Sequence, residues 1–106
     1  MPQYVIVYLG GNKPSSPEEG QKQFAKYKEW LTSLGESAVS PMNPFKNTST
    51  VSPDGRVTQG SSTSMSGYTI IEAATIESAL ETAKACPFLE TGGSLEVSEL
   101  VRMPGS

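Results

Sequence analysis

Acid/base and nucleophilic chemistry has few carriers in this chain of 106 residues, which contains no histidine and a single cysteine. Carboxylates, tyrosines, lysines and Cys86 are what remain for moving a proton or attacking a carbon. Cys86 stands before Pro87 at the expected end of a helix, where the negative pole of the helix dipole disfavours a thiolate, so it reads as a buried structural thiol. Glu72, Glu96 and Glu99 fall on or near expected strands. One of them turned into a pocket would be a candidate proton carrier, whereas a carboxylate at a sheet rim is ordinarily just solvated. The stretch Gly10-Gly11-Asn12-Lys13-Pro14-Ser15-Ser16 opens onto a helix. It lacks the glycine spacing of a phosphate loop and loses amide donors at its prolines, so it reads as a turn. No convergence of oxygens and no paired cysteine spacing points to a metal. The expectation is therefore no catalytic residue that can be assigned, no metal and no cofactor.

What the residue types do provide is the lining of a mainly apolar pocket. Tyr8, Phe24, Tyr27, Trp30, Met42 and Tyr68 are the large side chains expected near the sheet and helix surfaces, and most such aromatics serve the core or a subunit contact. The serine-rich run Gly60 to Gly67 holds Met65 and Ser66; it reads either as a small polar lid or as a plain connection. The candidate ligand pocket is accordingly Tyr8, Phe24, Met42, Met65, Ser66 and Tyr68.

These positions are set by a short series of elements. Tyr4 to Leu9 is a β-branched and aromatic run ended by Gly10-Gly11-Asn12, the pattern of a strand buried on both faces. Ser16-Pro17-Glu18-Glu19 predicts a helix start, with Ser16 as cap, Pro17 in the first turn and Glu19 reaching back. Phe24, Tyr27, Leu31 and Leu34 form one apolar stripe along it, and Gly35 ends it. A weaker second strand is expected over Glu36 to Met42, limited by Pro41 and Pro44. Asp54-Gly55 between β-prone segments predicts a hairpin. Tyr68 to Ala73 reads as a central strand. Thr75 caps a second helix carrying Ile76, Ala79, Leu80 and Ala83 on a narrow face, which Pro87 stops by about Cys86. Leu95, Val97 and Val101 alternate with polar residues in a last strand after Gly92-Gly93.

The order is β-α-β, hairpin, β-α-β: one α+β domain over residues 1–106, ferredoxin-like, an antiparallel sheet with two helices on one face. The other face needs a cover, and a second copy is the simplest one. A net charge of −3 at pH 7 leaves no footprint for a nucleic-acid backbone. The first apolar run is too short for a membrane span, and a lone cysteine suits a reducing compartment. A cytoplasmic homodimer that touches neither nucleic acid nor membrane is the expectation.

Four pieces in order resemble one known family: the run Tyr4 to Leu9, the hairpin Asp54-Gly55-Arg56-Val57, the strand Gly67 to Glu72, and the ending Cys86-Pro87-Phe88-Leu89-Glu90-Thr91-Gly92-Gly93-Ser94-Leu95-Glu96-Val97. Together they are similar to the YCII-related proteins, particularly the DGPF branch, over nearly the whole chain. The resemblance implies a dimeric α/β barrel, in which two ferredoxin-like sheets face each other and pockets form between sheet, helix and the loop after the hairpin. Some members carry a histidine on the first helix paired with an aspartate, proposed as an acid/base dyad; Phe24 and Ser33 occupy those places here. The DGPF signature is replaced by Gly60-Ser61-Ser62-Thr63-Ser64-Met65-Ser66. Family chemistry therefore does not carry over residue by residue.

Two function classes follow. The first is a dimeric small-molecule-binding or otherwise non-catalytic module. The second is a cofactor-independent enzyme of the lyase, dehalogenase or monooxygenase type acting on a small organic acid or lactone, with Tyr8, Tyr68 or Glu72 moving the proton. A protein-interaction module docking a different partner on the open sheet face is a third and weaker reading.

Overall fold

The computed structural model describes residues 1–102; positions 103–106, which the single-domain expectation included, lie outside the described residues. The chain runs β1 (Gln3–Leu9), α1 (Pro17–Leu34), β2 (Ala38–Pro44), β3 (Ser49–Val51), β4 (Val57–Gln59), β5 (Met65–Glu72), α2 (Ile76–Lys84) and β6 (Ser94–Glu99), with short 3-10 turns at Gly35–Ser37 and Pro87–Thr91. The main sheet has the order β2-β5-β1-β6, antiparallel throughout, and β3-β4 form a separate two-stranded ribbon. This is the ferredoxin-like α+β arrangement expected from the pattern, with the hairpin inserted between β2 and β5.

The core lies between the helices and one sheet face. Tyr4, Ile6 and Tyr8 of β1, with Thr69 and Ile71 of β5, are buried against Trp30 and Leu31 of α1 and Ala79 and Ala83 of α2. Their intervening neighbours Val5, Val7, Tyr68 and Ile70 are only half-buried. The first strand is thus buried on one face, not on both as its apolar run suggested. Apolar β-branched residues on the second face signal a sheet that expects a cover, and among the described residues no layer lies over it.

Local rules explain most boundaries. Ser16 Oγ accepts from the Glu19 amide at 3.2 Å, with Pro17 in the first turn. The returning bond expected from the Glu19 side chain is not among the hydrogen bonds of the described residues, so Ser16 caps alone. Gly35 leaves the helix at φ 56°, a region glycine enters without strain. The stripe on α1 is rotated from its expected line. Phe24 is 50% exposed, whereas Trp30 is buried with Nε1 donating to the Thr82 carbonyl at 3.1 Å. That bond stitches α1 to α2 and satisfies the one polar atom of a large buried ring.

On α2, Thr75 Oγ1 accepts from the Ser78 amide at 3.1 Å. The expected face narrows to Ala79 and Ala83, leaving Ile76 and Leu80 exposed, and the helix ends at Lys84, before Cys86 as expected. β2 starts later than expected, at Ala38, because residues 35–37 make a tight turn first. Its prolines are tolerated because β2 is an edge strand. β6 ends at Glu99, since its partner β1 begins at Gln3; Val101 lies past the sheet and is exposed. No helix among the described residues is long and apolar enough to cross a membrane.

Replacing Trp30 with alanine removes both the packing and the link to Thr82. We expect a loss of about 3–5 kcal/mol, read as a lower urea midpoint at unchanged slope.

Candidate functional site

At one end of the sheet a cavity of about 400 Å³ opens, lined by Tyr8, Phe24, Tyr27, Met42, Asn43, Pro44, Ser66, Gly67, Tyr68 and Phe88. No charged side chain lines it. α1 contributes Phe24 and Tyr27, β2 contributes Met42 to Pro44, β5 contributes Ser66 to Tyr68, and the 3-10 turn after α2 contributes Phe88. Tyr8 meets Tyr27 and Phe88 edge-on, with ring centroids 5.8 and 5.2 Å apart, the geometry that aligns positive ring edge with negative face.

Beneath these rings lies a triangle of hydroxyls. Tyr8 Oη bonds Thr69 Oγ1 and stands 2.9 Å from Tyr27 Oη; Tyr27 Oη is 3.3 Å from Thr69 Oγ1. Thr69 is fully buried and donates to the Pro41 carbonyl at 2.7 Å. The Pro41 carbonyl is free to accept because β2 pairs irregularly with β5 between Ser40 and Asn43. Proline has no amide to give the ladder, so the strand deviates there and its oxygen turns to the threonine. Asn43 secures the same bend: Nδ2 donates to the Ser40 carbonyl at 3.1 Å and to the Tyr68 carbonyl at 3.2 Å.

Close approach of two backbones shapes the cavity wall. A Cβ at Gly67 would meet the Asn43 carbonyl oxygen at 2.7 Å and Pro44 Cα at 3.1 Å. At Gly93 it would overlap the Phe88 ring, and Gly11 packs on the same ring. Glycine is therefore required where β5 crosses β2 and where Phe88 is seated.

Of the six residues expected at a pocket, Tyr8, Phe24, Met42, Ser66 and Tyr68 are brought together here and Met65 is not. Met65 and Ser66 belong to β5, which starts earlier than expected, so the lid reading of residues 60–67 shrinks to an exposed turn at 60–64 that does not reach the cavity. Met65 instead pairs with Leu9 at an irregular step of the β1-β5 ladder. Tyr27 was assigned to a core stripe, and Asn43, Pro44, Gly67 and Phe88 were not anticipated at a pocket. The glycines at 11 and 93 were the available signal for Phe88, because each marks a place where a bulky ring comes close to the chain.

The acid/base candidates are dispersed. Glu72 sits at the opposite end of β5, across from Gln3, and Glu96 and Glu99 are exposed on β6; none lines the cavity. Tyr8 is held neutral: burial, above all, raises its phenol well beyond the ordinary range, the Tyr27 bond raises it further, and the Thr69 bond opposes only in part. Its hydroxyl is held in place by both bonds. Cys86 is buried and its thiol is pushed up to about 11, chiefly by desolvation. The buried thiol expected from sequence is present, and burial is the main cause of its raised pKa. No group of three or more His, Cys, Asp or Glu side chains able to hold a metal occurs among the described residues.

No family model matches the chain, and no curated protein matches it in sequence. Among solved structures it is similar to 5-chloro-2-hydroxyhydroquinone dehydrochlorinase, TftG, of Burkholderia phenoliruptrix AC1100, in a complex with 2,5-dihydroxybenzoquinone. The likeness has a TM-score of 0.59 at 16% identity and covers 95% of each chain. At that identity it shows a shared fold.

Two outcomes are expected. Gly67→Ala forces β5 off β2 and costs about 1–3 kcal/mol by overpacking, read by thermal or chemical unfolding. Raised pKa values at Tyr8 and Cys86 mean that the unfolded chain loses these protons first, so their contribution is complete below the unfolded pKa and is lost as pH rises. For Cys86 the window runs from pH 9.0 to about 11. Denaturation midpoints should fall across that window, and fall less steeply in Cys86→Ala.

Proposed function

We propose that this chain is a cytoplasmic, YCII-related module that binds a small organic molecule in the cavity between α1, β2 and β5, and that it works as a homodimer. The observation that carries the reading is the cavity itself. Its volume of about 400 Å³ lies within the range of small-ligand sites, and its lining is the expected one: aromatic and apolar walls with a few fixed hydroxyls. The dimer is supported by the half-buried Val5, Val7 and Ile70 on the uncovered sheet face and by the β3-β4 ribbon, whose paired Val51 and Val57 are exposed. A two-stranded ribbon alone is marginally stable and gains from a neighbour.

A second reading is favoured by the solved neighbour, a dehydrochlorinase that holds a dihydroxylated quinone on the same fold. An enzyme of dehalogenase type in this chain would need a proton carrier in the cavity. Tyr8 is locked in its neutral form, the carboxylates lie elsewhere, and Phe24 occupies the place where the resembling family has its histidine. Binding without turnover is the reading the side chains support better.

The test is a thermal-shift screen of the purified protein with uncharged aromatic compounds, with light scattering alongside. A ligand at a hundred times its dissociation constant stabilises by about 2.7 kcal/mol. Phe24→Lys, at an exposed rim position, should abolish the shift and leave the unliganded melting temperature within a few degrees. Val7→Asp should convert the dimer to monomer. A broad screen with no shift would count against the binding reading, and a wild-type monomer against the dimer.

A further inference from the structure

We infer that the ligand is an uncharged aromatic carrying a hydrogen-bond donor, a phenol or its like, with that donor seated on Tyr27 Oη. The inference rests on the binding reading above and follows from where the hydroxyl protons must go. The Pro41 carbonyl can only accept, and Thr69 Oγ1 is its closest hydroxyl, at 2.7 Å against 3.5 Å for Tyr27. Thr69 therefore gives its single proton to Pro41 and must accept from Tyr8, its closest hydroxyl neighbour. With the Tyr8 proton committed, Tyr27 donates to Tyr8 at 2.9 Å in preference to Thr69 at 3.3 Å. All three protons are then committed, two inside the triangle and one to Pro41. Tyr27 Oη is the one oxygen that accepts nothing from within it, and Tyr27 is the half-buried member that lines the cavity.

The consequence is a difference in gain between ligand types. A donor adds a bond to the network without breaking any. An acceptor must draw the Tyr27 proton away from Tyr8 and so exchanges one bond for another, with little net gain. The other interior amide is also committed, because Asn43 Nδ2 serves Ser40 and Tyr68. Ser66 lies at the exposed margin, where it can meet a second polar group of the ligand. A carboxylate meets hydroxyls but no cationic side chain in the lining, and taking a charge out of water without a counter-charge is strongly unfavourable. The nearest cation, Lys28, rests over the Phe24 ring with Nζ 5.5 Å from the centroid, outside the lining. The small organic acid considered from sequence would meet no counter-charge in this lining, and four aromatic rings beside Phe88 suit a flat ring system.

Calorimetric titration with three matched probes tests this: naphthol, its methyl ether and naphthoate, against the wild type, Tyr27→Phe and Lys28→Gln. Naphthol should bind the wild type about 3- to 10-fold more tightly than the ether, the value of one hydrogen bond, and naphthoate should bind most weakly. Tyr27→Phe should bring naphthol down to the ether and leave the ether unchanged; Lys28→Gln should change neither. Equal binding of naphthol and ether to the wild type overturns the inference while leaving the cavity a ligand site, and this comparison needs no variant to fold. Naphthoate binding more tightly than naphthol, and weakening in Lys28→Gln, overturns it in favour of an anion site at the rim. Failure of all three probes to bind removes the ligand reading and the inference together.

Discussion

A threonine placed in the middle of a central strand, under a helix and out of contact with water, has to find a partner for its hydroxyl. Thr69 finds the carbonyl of Pro41, and much of the structure around the cavity follows from that bond. An unpaired buried hydroxyl would cost about 1–3 kcal/mol, so β2 has to bring a carbonyl inward at that level. A proline on an edge strand is well suited to the task, since it owes the ladder no amide proton. The same bond sends the remaining lone pairs of Thr69 towards Tyr8 and Tyr27, which fixes the heights of β1 and α1 relative to each other. One polar pair thereby positions three elements, and the aromatic rings that carry the hydroxyls become the walls of the cavity.

The rest of the core is apolar and follows simpler rules. Small residues on α2 let that helix lie close to the sheet, while α1 carries the bulk in Trp30 and Leu31 and is tied to α2 through Thr82. Packing is therefore dense beneath the C-terminal half of α1 and open beneath its N-terminal half, where Phe24 turns outward. Gly67 allows β2 to approach β5 closely at that open end, and Phe88 closes the side. The cavity lies between a well-packed region and a turn, which is where a fold of this size can leave space without losing its core.

Much of this was legible in the residues. Helix starts at Ser16 and Thr75, the ending at Gly35, the hairpin at Asp54-Gly55 and the central strands all obey local rules that act over a few positions, and so they could be read from a single sequence. Tertiary choices could not. The burial of Trp30 in place of Phe24 depends on which face of α1 meets α2, and the extension of β5 back to Met65 depends on pairing with β1. Five of six residues expected around a pocket do line one cavity, because large aromatics near strand ends of a thin domain have few other places to go. Met65 misses it because it lies at the first position of β5, opposite Leu9 beyond the irregular step of the β1-β5 ladder. Tyr27 escaped notice for a different reason: its position on the apolar stripe was visible, but its hydroxyl chemistry exists only once Thr69 and Tyr8 are folded against it.

Fold likeness alone cannot choose between binding and catalysis, since one scaffold hosts both. The chemistry of the lining side chains is what supports the binding reading proposed above. A general base must lose its proton near working pH, and the only hydroxyl fully enclosed with a ring in the cavity, Tyr8, is pushed in the opposite direction by its burial. With no charge on the walls, discrimination between ligands rests, on the proposed reading, on shape and on the hydroxyls of Tyr27, Ser66 and Tyr68. Apolar area then sets affinity, at about 25 cal/mol per Å², and the hydroxyl triangle sets orientation. On the reading proposed above, such a site holds a flat, neutral molecule in one pose. The half-exposed rim at Phe24 and Met42 is the part of the wall with room to change, and a histidine or carboxylate introduced there would face a bound ring.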